Sequence, residues 1–136
     1  MNAEVFLARA ELPLATGRVS RALGIRNHVP RHDLTLLEDG DDVELGTSRV
    51  RALLVPGHTP GSMCFLVDDR MLFTGDALTI KHGEVFTPRR LWNMDIAGRL
   101  RSNAVISDVN APEIFTGHSG FFLSGLANPR SAASPE

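Results

Sequence analysis

Residues 57–62 read Gly-His-Thr-Pro-Gly-Ser and follow an apolar run that ends at Val55. Two later stretches repeat this arrangement of an apolar run and a glycine turn, Phe-Thr-Gly-Asp at residues 73–76 and Phe-Thr-Gly-His at residues 115–118. A strand delivers a side chain to a fixed place, and a glycine-rich turn lets that side chain face a cleft. The pattern therefore predicts the same architectural position for His58, Asp76 and His118.

The three polar residues have the chemistry of metal ligands. Imidazole and carboxylate groups are ligands that zinc, iron and manganese accept. Each residue alone is an ordinary turn residue. However, the turns of His58 and Asp76 flank a predicted hairpin at residues 63–73, whose Asp68-Asp69 turn folds its strands back on each other. We therefore expect His58 and Asp76 to lie on the same side of the hairpin.

In this order, the segments at residues 56–62, 73–76 and 116–120 resemble the last three ligand motifs of the metallo-β-lactamase fold hydrolases. The resemblance covers residues 3–123, which is most of the chain. It implies an α+β fold that forms the C-terminal half of an αββα sandwich. We accordingly expect a partial domain at residues 1–127, followed by a disordered tail at residues 128–136 that has little to bury.

The resemblance also implies a role for each ligand. His58 would bind the first of two zinc ions, His118 would bind the second, and Asp76 would bridge them as the catalytic carboxylate; iron or manganese are alternatives to zinc. The zinc β-lactamases of the best-known class place Cys where this chain has Asp76. An Asp is typical of the glyoxalase II and lactonase-like branch, which implies ester, thioester or lactone hydrolysis by a hydroxide that bridges the metals.

The first ligand motif of that family, His-x-His-x-Asp-His, does not occur in the sequence. His28 and His32 have a helical metal spacing, but Pro30 lies between them and breaks such a helix. We therefore expect the sequence to begin in mid-domain. A half-domain leaves sheet faces and edges bare, so the predicted partner is a complementing N-terminal segment or a second copy of the chain.

Three functions follow from this interpretation. The first is a metal-dependent hydrolase of a small-molecule substrate that is active only when the remaining ligands are supplied. The second is a non-catalytic half-domain that acts through association with a partner chain. The third is an iron-dependent enzyme like the sulfur dioxygenases that share the fold.

Composition limits the partners. The net charge is −2 and the sequence has no basic stripe, which argues against nucleic acid as a partner. No apolar run approaches the length of a membrane span. The single cysteine, Cys64, cannot form an internal disulfide and favours the cytoplasm; its apolar surroundings predict a buried thiol.

The remaining elements follow from periodicity and turn residues. We predict a strand at residues 3–8, a helical region at residues 11–23 that Pro13 and Gly17 interrupt, and a meander of strands across residues 34–55. A second helix at residues 96–106 is predicted to bury the face that carries Ile96, Leu100 and Ala104. Asn93 or Asp95 would cap it.

Residues 79–93 are predicted to be a loop that leaves the Asp76 turn and borders the cleft. It carries the only lysine of the chain, Lys81, beside His82, and both are candidate substrate-binding residues for an anionic group. Arg89, Arg90 and Trp92 are in the same segment.

Overall fold

A computed structural model describes residues 4–20, 33–88 and 93–123. The predicted tail and His28, His32, Arg89, Arg90 and Trp92 lie outside these residues. A short 3₁₀ helix spans Arg9–Glu11. The other elements are β1 (Val5–Ala8), α1 (Leu12–Ala15), β2 (Leu34–Leu37), β3 (Asp42–Leu45), β4 (Ser48–Leu54), β5 (Met63–Val67), β6 (Met71–Gly75), β7 (Thr79–Lys81), β8 (Glu84–Phe86), α2 (Ile96–Val109), β9 (Glu113–Thr116) and β10 (Phe121–Leu123).

The main sheet has six strands in the order β10-β9-β6-β5-β4-β3. Its neighbours are antiparallel except for β6 and β9, which are parallel and are joined through α2. β4 is antiparallel to β5, and β5 to β6, so β4, β6 and β9 all run in the same direction. Their carboxyl ends therefore meet at one edge of the sheet, where the three predicted ligand turns begin. The predicted α+β class is confirmed.

One face of the main sheet forms the core. Leu66, Leu72, Ile114 and Phe122 are cross-strand neighbours in β5, β6, β9 and β10, so their side chains share this face. The first three side chains are buried and belong to the same cluster as Ile106 of α2. Burial of such apolar side chains holds α2 against the sheet and fixes the strand ends beside it.

A row of phenylalanines lies on the opposite face. Phe65, Phe73, Phe115 and Phe121 are cross-strand neighbours in the same four strands. The rings of Phe73 and Phe115 are stacked with centroids 4.7 Å apart, and Phe121 lies 6.1 Å from Phe115. Phe73 and Phe121 are 41% and 61% exposed, so this face presents aromatic surface to its surroundings.

The structure corrects the predicted buried face of α2. Leu100 is 59% exposed and Ala104 is exposed, whereas Gly98, Ser102 and Ile106 are buried. The reason is the close approach of α2 to the backbone before His58. The Ser102 hydroxyl donates to the Pro56 carbonyl at 2.7 Å, which leaves room only for small side chains on the first two turns of that face. The predicted cap is confirmed, because the Asp95 carboxylate accepts a hydrogen bond from the Gly98 N–H.

Three other predicted elements differ from the structure. β2 does not belong to a meander, because it pairs in parallel with β1 in a separate two-stranded sheet. Pro13 does not interrupt the first helix; it lies in the first turn of α1, where no backbone donor is needed. Residues 79–86 are a hairpin of β7 and β8 rather than a loop. The predicted hairpin of β5 and β6 is confirmed, and Asp68 and Asp69 have positive φ angles at the two central positions of its turn, which the hydrogen bond from the Arg70 N–H to the Val67 carbonyl closes.

Cys64 is fully buried in β5, and burial raises the pKa of its thiol to about 12 from the ordinary 9.0. Between these values the unfolded chain has lost a proton that the folded chain keeps, so rising pH favours unfolding. We expect the unfolding free energy to fall by up to about 1.4 kcal/mol per pH unit above pH 9 through this thiol. Urea unfolding of the wild type and Cys64→Ala from pH 8 to pH 10.5 measures it. Equal pH slopes in the two proteins would contradict the expectation.

Candidate metal centre

The turn of His58 is held by its neighbours on both sides. Within the turn, the Thr59 N–H donates to the Ser62 hydroxyl at 2.9 Å. The carbonyls of Gly57 and His58 accept from the N–H groups of Asp95 and Met94, at 3.0 and 3.3 Å, just before α2 begins. The end of β4 and the start of α2 therefore define the position of the His58 backbone together.

A second contact holds the far side of the same turn. The Gly61 N–H donates to a carboxylate oxygen of Glu11 at 3.0 Å. A Cβ atom at Gly61 would lie 2.4 Å from both the backbone nitrogen and the Cβ of Glu11. Only glycine at position 61 therefore permits this close approach to Glu11. The 3₁₀ helix packs directly behind the His58 turn.

Asp76 and His118 are held together by their backbones. The N–H of Gly117 donates to the carbonyl of Gly75 at 2.8 Å, which joins the turn after β9 to the turn after β6. A Cβ atom at Gly117 would lie 2.8 Å from Oδ1 of Asp76, so the absence of a side chain lets the carboxylate approach. The parallel pairing of β6 and β9 thus continues into the site.

The structure brings the three predicted ligands together. Nε2 of His58 lies 3.3 Å from Oδ2 of Asp76, and Nε2 of His118 lies 3.3 Å from Oδ1 of the same carboxylate. The side chains of His58, Asp76 and His118 are 15%, 37% and 86% exposed. The carboxylate therefore lies between two imidazoles, and the site is closed on the His58 side and open on the His118 side.

This arrangement fits a carboxylate that bridges two metal ions better than a complete site for one metal ion. Across residues 4–20, 33–88 and 93–123, no three His, Cys, Asp or Glu side chains form a group that could hold an ion by themselves. Instead, two His–carboxylate pairs share Asp76 through different oxygens. Two ligands at about 2.0–2.1 Å from one tetrahedral zinc ion are about 3.3 Å apart, as the nitrogen and oxygen are in each pair. Each pair could thus supply two ligands, and each site would need further ligands to be complete.

The predicted substrate-binding residues are adjacent to the site without touching it. Lys81 and His82 lie at the turn between β7 and β8, and both are exposed. His82 has a φ of 52°, as the turn requires. No hydrogen bond or ion pair in the described ranges links either residue to Asp76, so substrate contact stays a prediction.

Sequence reasoning did not identify two residues that position the site. Glu11 contacts Gly61 across 50 positions of sequence, and no local pattern indicates such a contact. Ser119 bonds to β7, 39 residues away. The Thr-x-x-Ser spacing of Thr116 and Ser119 is a signal for a turn with side-chain hydrogen bonds, and the Thr116–Ser119 contacts show such a turn.

The sequence model of the Metallo-beta-lactamase superfamily matches residues 3–119. The chain belongs to this superfamily. The family resemblance and the fold that it implies are therefore confirmed. Metallo-beta-lactamase proteins are typically metal-dependent, which agrees with the pairing of His58, Asp76 and His118.

Two curated relatives of this chain differ in their named activities. Hydroxyacylglutathione hydrolase from Methylococcus capsulatus is 46% identical over 70 residues, which are 50% of this chain and 27% of that protein. The human mitochondrial persulfide dioxygenase ETHE1 is 37% identical over 76 residues, which are 55% of this chain and 28% of that protein. The matched part is thus little more than a quarter of either relative's length.

Solved structures agree with the family. The metallo-beta-lactamase family protein TTHA1429 from Thermus thermophilus matches with a TM-score of 0.63 and 25% identity, covering 90% of this chain and 49% of that chain. About half of that structure therefore has no counterpart in the match. In the part of the chain that the structure describes, no helix is long and apolar enough to cross a membrane.

Proposed function

We propose that this chain provides half of a two-metal site in a metallohydrolase that cleaves small esters, thioesters or lactones. The observation that carries the proposal is the Asp76 carboxylate, which presents one oxygen to His58 and the other to His118. A carboxylate that links two imidazole ligands suits two adjacent hard metal ions. Zinc is the proposed metal, because imidazole and carboxylate ligands fit it.

Each of the three residues would have its own role in the site. His58 and His118 would each anchor one ion, and Asp76 would keep the two ions at a fixed separation. When bound, the metals supply Lewis-acid polarisation of a carbonyl and a lowered pKa for water. The open His118 side would leave room for a substrate, and the cationic Lys81 of the β7–β8 hairpin would attract an anionic group.

The remaining ligands are proposed to come from a complementing polypeptide segment that docks on the phenylalanine row. Phe73 and Phe121 leave much of their ring surface exposed on this face. The matched Thermus thermophilus structure contains about as much chain again as the match covers, enough for a second sheet layer. Burying aromatic rings of about 150–250 Å² each would give such a contact a substantial apolar core.

Thioester hydrolysis tests this function. The chain would be supplied with zinc and a glutathione 2-hydroxyacyl thioester, alone and together with the part of the Methylococcus capsulatus relative that lies outside the matched 70 residues. Release of free thiol is expected with the segment present and should be lost in Asp76→Ala. No release despite zinc bound to the assembled pair would contradict the proposal. Assembly of two copies without the added segment would identify the chain itself as the docking partner.

A dioxygenase is the second candidate, because one relative is named a persulfide dioxygenase. The same three residues offer iron the ligands it accepts. Oxygen consumption with a glutathione persulfide by the iron-loaded pair, without thioester cleavage, would favour this function over hydrolysis.

A further inference from the structure

The hydroxyl of Ser119, the residue after His118, connects the ligand turn to a distant hairpin. The N–H of Ile80 in β7 donates to Ser119 Oγ at 2.7 Å, and the Thr79 hydroxyl donates to the same oxygen at 3.1 Å. Thr116 Oγ1 lies 2.8 Å from it on the other side. One oxygen atom therefore bonds to both the turn of His118 and the strand that leads to Lys81.

The hydrogen bonds around this oxygen fix its direction. The Thr116 hydroxyl donates to the Gly120 carbonyl at 3.0 Å and accepts from the Ser119 N–H at 3.2 Å. Its own proton is then used, so Ser119 Oγ must be the donor in the contact with Thr116. Ser119 Oγ thereby uses one proton and two lone pairs, which is the full capacity of a hydroxyl. A hydroxyl that makes all of its possible hydrogen bonds has a single orientation. It therefore also fixes the relative orientation of the two elements that it joins.

We infer that Ser119 is a positioning residue that couples the His118 turn to the β7–β8 hairpin, which carries Lys81 and His82. The metal-binding part of this inference rests on the proposed function. Ser119 directly follows His118, so loss of its hydroxyl would loosen both the His118 turn and the contact with the Ile80 N–H. Partners that orient a metal ligand typically change metal affinity by about 10–100-fold when they are removed.

The test compares Ser119→Ala, Ser119→Thr and the control Ser107→Ala, whose hydroxyl makes no hydrogen bond within the described ranges. Amide hydrogen exchange at Ile80 is followed by NMR, and zinc affinity by competition with a chelator. Ser119→Ala is expected to speed Ile80 exchange and to weaken zinc binding about tenfold. Ser119→Thr keeps the hydroxyl and should restore both, and Ser107→Ala should leave both unchanged.

Unchanged Ile80 exchange in Ser119→Ala would overturn the inference, and so would equal effects of Ser119→Ala and Ser119→Thr. If Ser119→Ala does not fold, Thr79→Val tests the inference in its place. This variant removes one donor to Ser119 Oγ and should give a smaller increase in Ile80 amide exchange. Exchange is also measured without zinc. A wild type that binds no zinc even with the complementing segment present contradicts the proposed function, whereas the zinc-free exchange still decides whether Ser119 joins the two elements.

Discussion

Replacing Asp76 with alanine is expected to lower zinc affinity by at least about 100-fold, the largest functional effect of any single substitution in the chain. Both imidazoles of the site face this one carboxylate, so its loss removes a ligand from each metal position. Removing a group that merely orients a ligand already costs about 10–100-fold in affinity. Equilibrium dialysis against zinc, with elemental analysis of the retained metal, measures the change.

The matched control is Asp108→Ala, because Asp108 is an exposed carboxylate on α2. This variant loses the same charge without losing a ligand, so its zinc affinity should equal that of the wild type. The interpretation of Asp76 as a bridging ligand would be wrong if the two variants lost affinity equally. It would also be wrong if zinc binding by only one of the two residues, His58 or His118, depended on Asp76.

The Gly61→Ala substitution is expected to be among the most destabilising changes of a single methyl group, costing about 1–3 kcal/mol or more of unfolding free energy. The added Cβ would lie 2.4 Å from the backbone nitrogen of Glu11, and a backbone atom cannot move aside as a flexible side chain can. The displacement would also move the His58 turn, so zinc affinity should fall with stability. Urea unfolding measures the first effect and zinc titration the second.

Gly46→Ala is the control for the backbone cost of replacing a glycine. Gly46 has a φ of 65° but open space around its Cβ position, so alanine there meets strain without a clash. Its expected cost is about 1–2 kcal/mol, with no change in zinc affinity. A Gly61→Ala protein that is as stable as Gly46→Ala and retains zinc affinity would show that the contact with Glu11 does not hold the turn.

The ligand turns could be predicted from sequence because local rules determine them. A strand followed by a glycine turn places its polar residue at the strand end, and the Asp68-Asp69 pair specifies the hairpin that joins the His58 and Asp76 turns. The direction of β9 relative to β6 could not be predicted from these local rules. It depends on α2 crossing the core face so that β9 runs parallel to β6, which brings His118 beside Asp76.

Two of the errors share one cause, which is contact between segments distant in sequence. The buried face of α2 follows from the Pro56 carbonyl, which accepts from Ser102 and favours small residues over Leu100. Likewise, β2 pairs with β1 rather than with its sequence neighbour β3. Hydrophobic periodicity indicates which residues are apolar, but it does not identify the partner that covers them.

Zinc binding by the purified wild-type chain and by the double variant His58→Ala/His118→Ala tests the central claim most directly. The two imidazoles lie on opposite sides of one carboxylate, so together they define both metal positions. Saturable zinc binding by the wild type, lost in the double variant while the far-UV circular dichroism stays the same, is the predicted result. Zinc retention that is equal in the two proteins, or absent from both even with the complementing segment present, would contradict the assignment of these residues as metal ligands.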